Sequence, residues 1–178
     1  MAKKILAIPG SNSIESINKK LLVSVVSMLE DTKGTIVNIN DFPLPLFSVD
    51  LKEEKGVPEP ALNFKEKMEE SDGFILSFAE YNGSYSSAFK NLLDWLSVIE
   101  GKLFEDKPVL LMCATPGKLG GKNVLHTANA YLPHMGANII GSVSFGEFYE
   151  NFNDGDGILN KELLNEVKEK LKIFEASL

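Results

Sequence analysis

The stretch "KILAIPGSNSIESIN", residues 4–18, holds three pieces of a fold in order. The apolar run KILAIP (4–9) reads as a strand and breaks at Gly10 into a loop carrying five short polar side chains, Ser11, Asn12, Ser13, Ser16 and Asn18, without one basic residue. Leu21, Leu22, Val25, Met28 and Leu29 then recur at i, i+1, i+4, i+7 and i+8, the buried stripe of a helix that Ser16 can cap. Strand, small-residue turn and helix N-terminus form the opening half of a βαβ unit.

The same alternation continues along the chain. GTIVNIN (34–40) reads as a second strand, and the segment from Asp41 to Pro60, holding four of the eight prolines and no sustained period, reads as a long surface loop able to wall a pocket. A helix over ALNFKEKMEESD leads to a third strand, GFILSF (73–78), and a further helix spans about 84–98 with Phe89, Leu92, Leu93 and Leu96 inward. PVLLMCA (108–114) is apolar throughout, as a central parallel strand should be. A helix at about 121–134, a fifth strand at about 138–144 and a last helix bearing Leu164, Val167, Leu171 and Phe174 complete the series. Five strands alternating with five helices predict one α/β domain over 1–178, a doubly wound five-stranded parallel sheet of flavodoxin-like order 2-1-3-4-5 with helices on both faces.

Composition excludes several classes of function. With 178 residues and 44% hydrophobic content the chain has a core large enough to fold without disulfides, and its single cysteine, Cys113, lies inside the fourth apolar run. A formal charge of -7 argues against nucleic acid or an anionic membrane as the main partner. The start MAKKILAIPG has too short an apolar run for a signal sequence, so a cytoplasmic location is expected.

Ligands of doubly wound sheets bind beyond the carboxyl ends of the strands. The loops there are GSNSIESIN, AEYNGS and TPGKLGGK, the three richest in glycine and small polar residues. In the first, hydroxyls, amides and the helix N-terminus can surround a phosphate with donors. In the second, Tyr81 can lie beside a flat ring while the backbone of residues 80–84 meets its polar edge. The third offers backbone N–H groups but fails as a P-loop, because three residues instead of four separate Gly117 from Gly121 and Asn123 follows Lys122. NFNDGDG (151–157) lacks the register of a calcium loop and reads as a turn, and His126 and His134 have no third metal ligand nearby. No metal site is expected.

Three motifs in order make the chain resemble the NADPH-dependent FMN reductases, flavodoxin-like enzymes that include quinone, azo-dye and chromate reductases. The first motif, Gly-Ser-x-Arg-x-x-Ser-x-Asn-x-x-Leu, aligns with Gly10, Ser11, Ser13, Ser16, Asn18 and Leu21, and the second, Pro-Glu-Tyr-Asn-x-Ser followed by a helix bearing Lys-Asn-x-x-Asp-Trp, aligns with AEYNGS and with Lys90, Asn91, Asp94 and Trp95. The glycine-rich turn ending in Gly-Gly aligns with TPGKLGG. The resemblance implies bound FMN, with Gly10, Ser11, Ser13, Ser16, Ile17 and Asn18 around the phosphate. It places Glu80, Tyr81, Asn82, Gly83 and Ser84 along the isoalloxazine, and Thr115, Gly117 and Gly120 on its other polar edge. It implies NAD(P)H as co-substrate, a small electron acceptor such as a quinone, azo compound, free flavin or metal oxyanion, no side chain acting as acid or base, and a homodimer or homotetramer to which Phe89 and Trp95 could contribute contacts. The competing reading is a flavodoxin-like electron carrier that does not use NAD(P)H. Two positions depart from the family: its arginine is Ser13 and its proline before Glu-Tyr-Asn is Ala79.

The missing arginine gives a prediction. Charge-assisted hydrogen bonds contribute about 1.5–3 kcal/mol against about 1 kcal/mol for neutral ones, so Ser13→Arg should tighten FMN by about tenfold and leave riboflavin, which lacks the phosphate, unchanged. Fluorescence titration of both flavins checks it; an equal gain for riboflavin would place residue 13 away from the phosphate.

Overall fold

The computed structural model describes residues 2–178. β1 (Lys3–Gly10) leads into α1 (Ile17–Val26), which Ser16 caps by accepting the Lys19 N–H on its hydroxyl at 3.2 Å. β2 is Thr32–Ile36, earlier than the 34–40 expected, because Asn38 accepts the Asn40 N–H on its side chain and turns the chain into a 3-10 helix at Ile39–Asp41. The loop after it contains a helix, α2 (Val49–Lys55), capped by Ser48 and ended by Gly56 at φ +75°. No residue of α2 is buried, so no apolar stripe announces it.

α3 (Glu59–Glu69) precedes β3 (Gly73–Phe78), and a tight hairpin of β4 (Glu80–Tyr81) and β5 (Ser84–Tyr85) follows. Asn82 and Gly83 close that hairpin at φ +52° and +75°, the left-handed pair that a two-residue connection requires. The hairpin delays α4 (Ser87–Ser97) beyond the expected residue 84, and its cap is Ser86, whose hydroxyl also donates to the Gly10 carbonyl at 2.9 Å. β6 (Pro108–Ala114), α5 (Lys122–Tyr131) with a 3-10 turn at Leu132–Met135, and β7 (Asn138–Phe145) come next. The chain finishes with α6 (Phe148–Asn151), the hairpin of β8 (Phe152–Asn153) and β9 (Gly157–Ile158), and α7 (Lys161–Ala176). The NFNDGDG segment is therefore a hairpin turn, held by Asn153 accepting the N–H groups of Gly155 and Asp156.

The five long strands form one parallel sheet in the order β2-β1-β3-β6-β7, the expected flavodoxin-like arrangement. Successive side chains of a strand point to opposite faces, and each face has its own core. Leu6, Ile8, Leu76, Phe78, Leu111 and Cys113 pack under α3, α4 and α5, while Ile5, Ala7, Ile75, Leu110, Met112 and Val143 pack under α1 and α7. Phe89 faces inward as its place on the helix stripe predicts, and Trp95 is buried too, contrary to its expected availability for a subunit contact. Phe89 stacks edgewise on Phe78 at 5.2 Å, and Trp95 donates its indole N–H to the Pro45 carbonyl at 2.7 Å. With Asn91, which accepts from Phe47 N–H at 2.8 Å and donates to Pro45 at 3.0 Å, Trp95 pins the long loop against α4.

One buried amide ties this framework together at the strand ends. Asn18, 2% exposed, accepts the Ala114 N–H at 2.8 Å and the Ser77 hydroxyl at 2.7 Å on Oδ1, and donates Nδ2 to the Ala114 carbonyl at 3.0 Å. Asn18→Ala leaves these buried partners unsatisfied at about 1–3 kcal/mol each, partly relieved by water, so a net loss of about 2–4 kcal/mol is expected in urea unfolding.

Candidate functional site

A cleft of about 260 Å³ opens at the carboxyl edge of the sheet, where β1, β3 and β6 end. Ser11, Ser13, Ser16, Ile17 and Asn18 line it from the first loop, Glu80 and Tyr81 from the second and Thr115 from the third. The sheet thus joins segments about a hundred residues apart in the chain, as the sequence motifs require. Gly10, Asn82, Gly83, Ser84, Gly117 and Gly120 are not part of the lining and serve the backbone instead. Gly10 lies against the rings of Phe78 and Phe89, where a Cβ would be tightly packed at 3.1 and 3.4 Å, and Asn82–Gly83 form the hairpin turn.

The first loop leaves its donors free. Ser11 accepts the Ser13 N–H at 3.2 Å and Ser16 accepts the Lys19 N–H, so each hydroxyl has one lone pair engaged and its proton available. Among the described residues no protein acceptor meets the N–H groups of Ile17 and Asn18, the first two of α1, which carry the positive end of its dipole. The Asn18 side chain is not among these donors. It was expected to face a phosphate, but its amide is bonded to Ala114 and Ser77, and only its backbone N–H remains.

Glu80 also has a task other than the one expected. Its carboxylate accepts the Val124 N–H at 2.9 Å and the Asn123 side-chain amide at 3.3 Å. α5 has no capping side chain of its own, since Gly121 precedes it, so Glu80 caps it from the neighbouring loop and braces the second loop against the third. Gly120 and Gly121 stand at φ +61° and +73°, and their missing side chains matter as much as their angles. A Cβ on Gly121 would overlap the Cys113 sulfur, and one on Gly120 the Ser144 hydroxyl. Burial, then the nearby Glu80 charge, pushes the Cys113 thiol up to about 12, so it is neither thiolate nor nucleophile at neutral pH.

Sequence reasoning missed five lining residues: Glu15, Ala79, Ala114, Pro116 and Tyr149. Tyr149 comes from α6, after β7, and is 71% exposed beside Phe148. The loop after β7 ends on the same edge as the three that were read, which is the signal that could have found it. A larger hollow of about 680 Å³ lies among Lys3, Thr32, Lys172 and Glu175, at the start of β1 and β2 and the end of α7. None of the three motifs reaches it. Among the described residues there is no cluster of metal-ligating side chains, and no helix is long and apolar enough to cross a membrane.

The model of the NADPH-dependent FMN reductase family matches residues 3–150. The NAD(P)H:quinone oxidoreductase of Solanum tuberosum is 29% identical over 178 aligned residues, covering 95% of this chain and 87% of that one. The quinone reductase of Escherichia coli is 28% identical over 57% of this chain and 54% of its own length, so the chain spans about half of that relative. Among solved structures, the flavoenzyme NAD(P)H:(acceptor) oxidoreductase FerB of Paracoccus denitrificans superposes with a TM-score of 0.78 at 25% identity, covering 99% of both chains. The fold is also shared with an NADH:FMN oxidoreductase, EMOB, at a TM-score of 0.74 and 17% identity, covering 99% of this chain and 90% of that one.

The glycines of the third loop separate two reasons for being glycine. Gly121→Ala forces a Cβ into the Cys113 sulfur at a left-handed position and should destabilise by about 3 kcal/mol or more. Gly117→Ala meets nothing within 4 Å at an ordinary φ and should change stability by less than about 0.5 kcal/mol. Urea unfolding of the two variants checks both values.

Proposed function

Because the chain belongs to the NADPH-dependent FMN reductase family, we propose that it binds FMN in the carboxyl-edge cleft and passes electrons from NAD(P)H to a small acceptor such as a quinone, an azo compound, free flavin or a metal oxyanion, in the cytoplasm. The observation that carries the reading is the donor set of the first loop. Ser11 and Ser16 present hydroxyl protons and Ile17 and Asn18 present N–H groups at a helix N-terminus, which is what a phosphate monoester needs when no metal is present. Tyr81, 57% exposed, and Thr115, which lines the same cleft, suit a flat ring with polar edges.

Bound FMN supplies the two-electron redox chemistry, accepting hydride from the nicotinamide and yielding electrons to the acceptor. The chain's own part is placement. Asn18 fixes the helix end that holds the phosphate, Glu80 fixes the loop behind Tyr81, and the donor-rich walls leave the cleft open to solvent so that two substrates can enter in turn. No lining side chain is required as acid or base, and the buried Cys113 thiol takes no part. Exposed apolar side chains on the three loops, Ile14, Tyr81 and Leu119, support a second subunit or the acceptor itself covering the ring.

Two steps test the proposal. Purified protein should bind one FMN per chain more tightly than riboflavin, and anaerobic NADPH or NADH should bleach the bound flavin, with a quinone restoring its absorbance over many turnovers. Flavin that stays oxidised under excess NAD(P)H without oxygen replaces the reductase reading with that of an electron carrier.

A further inference from the structure

The chain contains no arginine; all 18 of its basic residues are lysines. No lysine lines the cleft, whereas two carboxylates, Glu15 and Glu80, do. Glu80 is satisfied by the start of α5, but Glu15 is exposed on the same loop as the free hydroxyls. The cation that pairs with that loop among the described residues is Lys20, one turn into α1. Its ammonium lies 3.8 Å from the Glu15 carboxylate and 2.9 Å from Asp154 in the turn of the β8–β9 hairpin. The hydrogen bond to Asp154 leads the effects that hold the Lys20 charge firmly in place.

We propose that Lys20 is a reserve cation for the FMN phosphate, drawn off the seat by Asp154 and Glu15, so that this trio of side chains makes FMN an exchangeable occupant of the cleft. The inference rests on the phosphate seat proposed above. A lysine that stands one carboxylate away from the cleft, and is nearer to an acid on a different element, contributes its attraction to that acid. The phosphate is then held by neutral donors and the helix end, while the exposed Glu15 charge opposes it. The hairpin that carries Asp154 is seated on α1, where a Cβ at Gly157 would approach the Ser24 hydroxyl to 2.8 Å, so its acid is presented to Lys20 by a fixed turn. Asp154 makes no other hydrogen bond among the described residues, which leaves the hairpin intact when its charge is removed.

Fluorescence titration with FMN and with riboflavin, together with the rate of FMN loss on dilution, reads the device without turnover. Wild type should prefer FMN to riboflavin yet lose it on desalting. Asp154→Asn and Glu15→Gln should each raise the FMN-to-riboflavin affinity ratio by about three- to tenfold and slow FMN loss, with riboflavin affinity, the control for folding, unchanged. The Asp154→Asn gain should vanish when Lys20→Gln is added. An unchanged ratio in both single variants, or a gain that survives Lys20→Gln, overturns the proposal while the phosphate seat stands. A wild type that binds FMN no better than riboflavin overturns the seat itself, and the proposal with it.

Discussion

The buried amide of Asn18 is the constraint from which the rest of the cleft follows. β3 stops pairing with β6 at Phe78 and Cys113, one residue short of the end of β6. The Ala114 N–H and carbonyl therefore face a place where no neighbouring strand supplies partners, and in a buried sheet that gap is costly. The Asn18 side chain fills it as a surrogate peptide group, with Ser77 completing its oxygen. Since Asn18 is also the second residue of α1, the bond that completes the sheet sets where the helix begins. Ser16 and the free N–H groups inherit their position from it.

The same economy recurs across the edge. Glu80 completes the first turn of α5, Ser86 ties α4 to the end of β1, and Thr115 donates its hydroxyl to the Gly117 carbonyl at 3.0 Å. Each polar side chain bonded inward removes one group from the ligand's reach and holds another steady. What remains open is a small set: the hydroxyl protons of Ser11 and Ser16, the leading amides of α1 and the face of Tyr81. A site of this kind derives its selectivity from backbone position more than from side-chain charge, and its precision depends on bonds made several ångströms behind the surface.

Much of this was legible in the sequence, and the exceptions share a cause. Nearly continuous apolar runs place β3 and β6 to the residue, because strands buried on both faces admit a polar side chain only where a partner meets it, as Asn18 meets Ser77. Exposed elements carry no such imprint: α2 buries nothing, and the β4–β5 hairpin announces itself only through Asn82–Gly83. At the candidate site, residues of the three loops read from the sequence do line one cleft, but the direction of each side chain was not legible. Asn18 and Glu80 suit a ligand by chemistry and are claimed by Ala114 and Val124, partners about a hundred and about forty residues away that no local pattern reveals. Trp95 suits an interface by type, yet its indole N–H finds a carbonyl of the long loop and the ring is buried with it. Tyr149 escaped notice because it follows the fifth strand, at the margin of the sheet.

Charge balance gives the cleft its remaining character. FMN and NAD(P)H are both anions, and they approach a chain of formal charge -7 whose cleft lining includes two carboxylates and no cation. Long-range attraction therefore contributes little, and salt at physiological strength screens what exists beyond about 8 Å. On the reading proposed above, short-range donors at the end of α1 would supply the binding, and they would act only on a phosphate already seated. An arginine at position 13 would add attraction that persists at a distance and a bidentate hold at contact. With serine there, and with Lys20 paired to Asp154, the proposed recognition would be confined to the hydrogen-bonding shell, and occupancy would follow the ligand's concentration in solution more closely than in a site clamped by a cation.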